Sequence, residues 1–315
     1  MIPKPPPREG SLGFLFIPPF RVQGLSTAGE QTCVQVPELD ICFDMGSCPR
    51  AMLPCRYVAI SHGHMDHIGG LAYYCSQRQF QGMGPGKIVC NKAIAPAVRA
   101  MMDGYVNLEQ QMMPYELIEM EDGDEIEIKN NIYLRLFDTE HTSPSSGYSI
   151  VEKRSKLKEE FYELPQEKLR ELRAKGKNIT RILEVPLVSY TGDTLPGAHL
   201  LREDVRKSQI VISECTFIDD DHKERAKVGK HMHIDDIAEW LGVLECEALV
   251  LVHLSRRSNL NDARKRLRGL VKRELAEKVF FLMDHRTNRY RYERQAEEAS
   301  RLEAARLAAT QSSAR

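Results

Sequence analysis

Ile60-Ser61-His62-Gly63-His64-Met65-Asp66-His67-Ile68-Gly69-Gly70 is the stretch on which the reading of this chain turns. It sets three imidazoles and a carboxylate within six positions, enters from the apolar run Tyr57-Val58-Ala59-Ile60 and closes on two glycines. Such a cluster is costly unless a cation satisfies it, and imidazole with carboxylate is a donor set for zinc and similar borderline ions. The H-x-H-x-D-H spacing also divides naturally. His62 and His64 lie on one side of an extended or loop segment, while Asp66 and His67 point elsewhere. The expectation is two metal ions side by side.

Composition bounds what can surround that stretch. The 315 residues carry 44 basic and 45 acidic side chains, a net charge of −1, and 42% are hydrophobic. This is enough for one large or two small domains, and it excludes a generic polycation and a disordered acidic chain. Any nucleic-acid contact must come from local patches. Eight cysteines (Cys33, Cys42, Cys48, Cys55, Cys75, Cys90, Cys215 and Cys246) form neither C-x-x-C pairs nor a compact disulfide pattern, so reduced core thiols are expected. The apolar run Phe14 to Ile17 is cut by Pro18-Pro19, too short for a signal-peptide core or a membrane span. A soluble cytoplasmic protein without a membrane partner follows as an expectation.

Outward from the central stretch, short β-rich runs precede it: Gly24 to Gly29, Thr32 to Val36 and Leu39 to Phe43, after a proline-rich lead-in over Met1 to Gly10. A helix is expected over Leu71 to Phe80, a strand over Lys87 to Cys90 and a helix from about Ala93 to Asp103. Ile126 to Ile128 and Ile132 to Phe137 read as strands. Alternating strands and helices place the fold in the α/β (α+β) class. A polar residue then follows one apolar strand after another: His141 past Phe137, Asp193 past Val185–Tyr190, Glu214 past Ile210–Ile212, and His253 past Ala248–Val252. Asp235-Asp236 suit the first turn of a helix running to about Leu244. Asn261 to Ala276 reads as one amphipathic helix, Val279 to Met283 as a last strand, and residues 286–315 as a charged, helical or frayed tail behind a domain at 1–285. There is no internal repeat.

Residues 151–184 are different: basic and acidic side chains dominate and apolar ones are few. A solvated helical hairpin is the bland reading. A basic arm that engages phosphates is the functional one, with Lys153, Arg154, Lys156, Lys158, Arg170, Arg173, Lys175 and Lys177 as candidates.

His62, His64, Asp66 and His67, then His141, Asp193 and His253, in this order, resemble the ligand series of the metallo-β-lactamase superfamily. Within it the chain is similar to ribonuclease Z, the endonuclease that trims 3′ trailers from precursor tRNA, in its short plant-type form. The segments that carry the likeness are Gly24 to Gly29, Phe43 to Pro49, Ser61 to Leu71, Tyr190 to Thr194, Glu214 to Phe217, His231 to His233 and His253 to Arg257. The resemblance implies a four-layer αβ/βα sandwich. It implies two Zn2+ per chain, or Mn2+ or another divalent ion: one on His62, His64 and His141, the other on Asp66, His67 and His253, bridged by Asp193. It further implies metal-hydroxide attack on a phosphodiester, Asp66 orienting the nucleophile, His231 backed by Glu214 as general acid, Arg257 on a phosphate, and a homodimer. His233 competes with His231 for the acid. Three features depart from the family: Ser213 where a histidine is common, Met232-His233 where Ser-Thr is frequent, and an arm without a Gly-Pro-rich tip. The alternative is a dizinc hydrolase of small esters, thioesters, lactones or cyclic phosphodiesters, which the same seven ligands would serve.

Overall fold

The computed structural model describes residues 3–313; Met1, Ile2, Ala314 and Arg315, the ends of the lead-in and of the tail, lie outside the described residues. Strand β1 (Gly13–Ile17), β2 (Phe20–Thr27), β3 (Gln31–Val36) and β4 (Ile41–Phe43) form an antiparallel meander. Strands β5 (Tyr57–Ile60), β6 (Gly86–Asn91) and β7 (Tyr115–Met120) then add in parallel. Helices α1 (Met65–Ile68), α2 (Leu71–Phe80) and α3 (Ala95–Glu109) make the crossovers that parallel pairing requires.

The second half repeats this plan. Strands β8 (Glu125–Lys129), β9 (Ile132–Thr139), β10 (Ser145–Leu157) and β11 (Thr180–Tyr190) are antiparallel, and β12 (Ile210–Glu214), β13 (Ala248–Val252) and β14 (Val279–Phe281) follow in parallel. Helix α4 (Gln166–Ala174) lies between β10 and β11. Helices α5 (Glu203–Arg206), α6 (Lys223–Gly229) and α7 (Ile234–Leu241) lie between β11 and β13. After β13 come α8 (Leu260–Leu270) and α9 (Arg273–Ala276), and after β14 comes α10 (His285–Ser313). Among the described residues the strands form two sheets of seven, in the orders β1 to β7 and β14 to β8.

Strand alternation builds the layers. Tyr57 and Ala59 of β5, and Ala248, Val250 and Val252 of β13, face the shared core between the sheets. Val58 and Ile60 turn outward to meet Leu71, Cys75 and Val98 of α2 and α3. Leu249 and Leu251 turn outward to meet Ile237, Leu241 and Leu267 of α7 and α8. A period of two exposes both faces of each strand to an apolar neighbour, which is why these central strands read as continuous apolar runs. The result is helix, sheet, sheet, helix, the four-layer arrangement expected. All eight cysteines are unpaired. Among the described residues no helix is long and apolar enough to cross a membrane.

Several expectations need correction. The run Phe14 to Ile17 is strand β1, an edge strand that the sequence reading left unassigned, and β7 escaped it because Tyr115-Glu-Leu-Ile-Glu-Met lies half-buried at the opposite edge. Residues 151–184 are not a helical hairpin. Val151 to Leu157 of β10 pairs with Thr180 to Pro186 of β11 in a two-stranded ribbon, past a register shift at Ile150/Val151, and only residues 166–174 are α-helical. Phe161 and Ile179 are buried beneath its turn. The helix expected over Asn261 to Ala276 breaks at Val271-Lys272, both extended, into α8 and α9. The tail is tied at its start. Asn288 is buried and donates to the carbonyls of Phe281 and Leu282, Tyr292 meets Phe14 edge-on at 5.6 Å, and Arg291 sits 4.0 Å over the Phe280 ring. Helix α10 thus covers an edge of each sheet.

Candidate active site

Every polar residue of the central stretch leaves β5 at its C-terminal end. His62 and His64 follow in the irregular segment between β5 and α1, His64 being the extended residue before the first turn of α1, and Asp66 and His67 lie in that turn. The turn is held against the loop after β4, where Met45 N–H donates to the carbonyl of His67 and Gly70 N–H to that of Met45. Gly46 is required there because an added Cβ would lie 1.7 Å from the carbonyl oxygen of Asp66. His141 follows β9, Asp193 follows β11, and Glu214 and His253 end or follow β12 and β13. Gly192, at φ +60, gives the turn that aims Asp193.

These residues converge. Ligand atoms of His62, His64 and His141 lie within 4.8 Å of one another, as do those of His62, His67 and Asp193, and those of Asp66, His67 and His253. Bare imidazole nitrogens face each other at 3.3 Å in two places, His67 Nε2 to His253 Nε2 and His141 Nε2 to His64 Nδ1. Asp193 Oδ2 stands 3.2 Å from His67 Nε2, 3.3 Å from His253 Nε2 and 3.9 Å from His62 Nε2, between the two sets.

A divalent ion fits this set on the chemistry of the donors. Each of four imidazoles spends one nitrogen on the protein and turns the other inward. His67 Nδ1 lies 2.8 Å from the Asp44 carboxylate, His141 Nδ1 2.9 Å from the carbonyl of Lys230, His253 Nδ1 2.9 Å from Thr216 Oγ1, and His62 Nδ1 3.0 Å from Ser61 Oγ. Such outer partners set tautomer and ring orientation in metal sites. His62 Nε2 is fully buried without a hydrogen-bond partner among the described residues, an arrangement that costs free energy unless something electrophilic occupies it. Burial pushes the His62 imidazole down to about 2, so it stands ready as a neutral donor. Burial opposes charge on Asp193, but the imidazoles of His253, His67 and His62 hold its carboxyl well below the ordinary range. The fold and these clusters point to divalent-metal binding.

His231 and His233, equivalent by sequence, separate. His233 caps α7: its Nδ1 accepts from Asp235 N–H, its Nε2 lies 3.0 Å from the carbonyl of Asp219, and Asp236 closes the capping box. His231 instead faces the cluster, with Nδ1 3.0 Å from Glu214 Oε1 and 3.9 Å from Asp193 Oδ2. Burial disfavours its charge, yet the Glu214 carboxylate outweighs burial and raises it to about 9. Glu214 is itself buried and fixed by Thr194 N–H at 2.7 Å and Thr216 Oγ1 at 2.5 Å. Ser213 turns away, toward Thr191 and the sulfur of Met232, so its departure from the family pattern falls in the core.

The sequence reading missed the supporting shell. Asp44, fully buried at φ +58, accepts from Ser61 N–H, Ser61 Oγ, His67 and the Tyr190 hydroxyl. Thr216 links Glu214, His231 and His253, and Ser26 Oγ receives the N–H of His253, another left-handed residue. The one available signal was Asp44-Met-Gly46 directly after a strand, parallel to Gly192-Asp193 after another.

The arm cations divide. Lys153 pairs with Glu125 and lies 4.3 Å over the Tyr133 ring, Arg154 pairs with Glu152, Lys158 donates to the carbonyl of Asn178, and Lys177 sits 5.1 Å over Phe161. Lys156, Arg170, Arg173 and Lys175 are exposed and have no side-chain partner among the described residues. Arg257 is exposed too, in a cleft beside Thr216.

Residues 45–254 match the family model described as a beta-lactamase superfamily domain. The chloroplastic tRNase Z TRZ2 of Arabidopsis thaliana is 31% identical over 274 residues, covering 86% of this chain and 77% of the relative. The tRNase Z TRZ1 of the same plant is 31% identical over 246 residues, covering 77% of this chain and 88% of the relative. The crystal structure of human tRNase Z, short form, shares the fold, with a TM-score of 0.54 at 17% identity over 86% of this chain and 95% of that one.

Proposed function

The chain belongs to the tRNase Z family of the beta-lactamase superfamily, and from that premise we propose that it is a metal-dependent endoribonuclease that removes 3′ trailers from precursor tRNA. The observation that carries the reading is the convergence of seven donors from four strand exits around His62 Nε2, which has no hydrogen-bond partner among the described residues. We assign His62, His64 and His141 to one Zn2+, or Mn2+ in its place, Asp66, His67 and His253 to a second, and Asp193 to both. When bound, such ions lower the pKa of water toward neutrality and offset charge on the phosphoryl oxygens.

The chain's own residues do the rest. Asp66 receives Gly29 N–H on Oδ2 at 2.8 Å, which leaves Oδ1 to orient the attacking water. Asp44, the Lys230 carbonyl and Thr216 hold the imidazoles in the donor tautomer. Cleavage expels a ribose 3′ oxygen, a poor leaving group unless protonated. Glu214 keeps His231 protonated at neutral pH through Nδ1, and Nε2 is the nitrogen free to deliver the proton. Lys156, Arg170, Arg173 and Lys175 are the arm cations we assign to tRNA phosphates, with Lys153, Arg154, Lys158 and Lys177 fixing the ribbon that carries them. Arg257 joins them at the centre. A homodimer belongs to the same proposal, supported by the family resemblance and by exposed Tyr105 and Leu108 one turn apart on α3. The eight unpaired thiols support a reducing compartment, for which we propose the cytoplasm.

The test is incubation of the purified chain with a precursor tRNA and mapping of the cut. The parent cleaves at the start of the trailer, while Asp66→Ala and His231→Ala bind the RNA and leave it intact. Precursor tRNA that is bound but uncut by the parent in zinc or manganese buffer overturns the reading, and metal analysis checks the two-ion assignment.

A further inference from the structure

A cleft of about 620 Å3 opens directly beside the donor cluster, and of its walls only Gly29, Thr216 and Arg257 enter the proposal above. Its walls touch the centre at two points. Gly29 holds Asp66, and Thr216 holds Glu214, His231 and His253. Its volume is that of a small-ligand pocket. Its charge is positive: Arg225, Arg256 and Arg257 line it against Glu30, and Glu30 is spent on Arg256 at 3.1 Å. Arg257 makes only a backbone bond and Arg225 has no hydrogen-bond or carboxylate partner among the described residues.

Phe217 supplies the flat surface in this cleft. Its backbone is pinned, N–H to the Met232 carbonyl and carbonyl to Ile234 N–H, so the ring is carried on a fixed frame. His222 and His231 meet the ring edge-on, at 5.7 and 6.1 Å between centroids. The guanidinium of Arg225 lies 5.9 Å over it. A base held between two planar groups needs roughly 7 Å, twice the rise of about 3.4 Å per stacked base. An exposed, unpaired arginine yields the missing ångström by a small side-chain movement. Aromatic rings and guanidinium planes are the surfaces on which unpaired RNA bases stack.

We propose that Phe217 and Arg225 form a nucleobase subsite for the nucleotide immediately 5′ of the scissile bond, with Arg257 on an adjoining phosphate. The placement rests on the ribonuclease reading. His231 stands by the departing 3′ oxygen, Phe217 is the next ring beyond His231, and the nucleotide bearing that oxygen is therefore the one whose base reaches the cleft. Stacking tolerates any base, so the subsite selects an unpaired base rather than a sequence.

The experiment compares precursor tRNA carrying an ordinary or an abasic nucleotide directly 5′ of the cut, and a third substrate abasic directly 3′ of it. For the parent, loss of the 5′ base lowers kcat/KM by roughly 5- to 100-fold, the range for one stacked base, and loss of the 3′ base changes it less. Phe217→Leu and Arg225→Met cut the ordinary and 5′-abasic substrates at nearly equal, reduced rates. Thermal melting and metal content confirm that both variants are folded, and Arg225→Met, at an exposed position, keeps the test open if Phe217→Leu unfolds. Equal cleavage of the ordinary and 5′-abasic substrates by the parent overturns the subsite and leaves the ribonuclease reading intact. A larger loss from the 3′ abasic site overturns the placement. A parent that cuts none of the three overturns both.

Discussion

Strands β1–β7 and β8–β14 follow one plan, a four-stranded meander and then three parallel strands, yet equivalent points carry different chemistry. The fourth strand of each half is followed by an aspartate, Asp44 after β4 and Asp193 after β11. Asp44 is saturated by Ser61, His67 and Tyr190 and supports an imidazole from behind. Asp193 instead meets the inward-facing nitrogens of His62, His67 and His253. Topology decides where a carboxylate arrives, and the groups already there decide whether it is consumed as a support or left facing the cluster. The link between third and fourth strands differs as sharply. In the first half it is the short turn Pro37–Asp40. In the second it is the ribbon-and-helix excursion that carries the free arm cations.

The comparison can be broken at each of these points. The largest effect is expected for Asp193→Ala, a fall in RNA cleavage of at least about 10³-fold with loss of bound metal, since several kcal/mol of charge stabilisation goes with the ions. His231→Ala follows, about 10²- to 10⁴-fold on RNA. Because a nitrophenolate leaves without protonation, the same variant loses far less on a nitrophenyl phosphodiester, and equal losses on both substrates would refute the acid. Asp44→Asn is expected to weaken metal affinity about 10- to 100-fold while retaining activity at saturating metal. A loss as deep as that of Asp193→Ala would erase the distinction between the two aspartates.

The two links between third and fourth strands give smaller effects. Replacing Arg170 and Arg173 by alanine raises KM for precursor tRNA and lowers the slope of log KM against log salt by about 1 to 2, with kcat held. An unchanged slope removes the arm from recognition. In the short turn, burial pushes the Glu38 carboxyl up, but Arg21 N–H, Lys4 and the Arg21 guanidinium together hold it below its usual range. A depressed carboxylate adds stability that is present above its unfolded pKa, about 4.3, and is lost as pH falls through the folded value. Glu38→Gln is therefore less stable than the parent at pH 7, by on the order of 1 kcal/mol, and the two converge in acid, as measured by urea unfolding at pH 7 and below pH 4.

Much of the site was legible because its residues sit where apolar strands end, a pattern of local order. The H-x-H-x-D-H stretch, His141, Asp193, Glu214 and His253 needed no knowledge of packing to be marked. The edge strands were not legible: β1 had the look of an isolated apolar run and β7 lacks a clean alternation, because an edge strand is defined by which neighbour it has. The arm was misread for a related reason. Charged residues with few apolar ones are compatible with helix or ribbon, and only pairing of Lys153–Leu157 with Thr180–Glu184 selects the ribbon.

By itself, then, the sequence determined the α/β class, the series of His and Asp side chains that converge and its order, since residue type and strand period are local properties. Tertiary structure alone decided which of two nearby histidines faces the cluster, that Asp44 stands behind His67, and that Phe217 and Arg225 share a cleft with Arg257. Those are relations between side chains separated along the chain, and only the packing of the two sheets brings them within hydrogen-bonding or stacking distance.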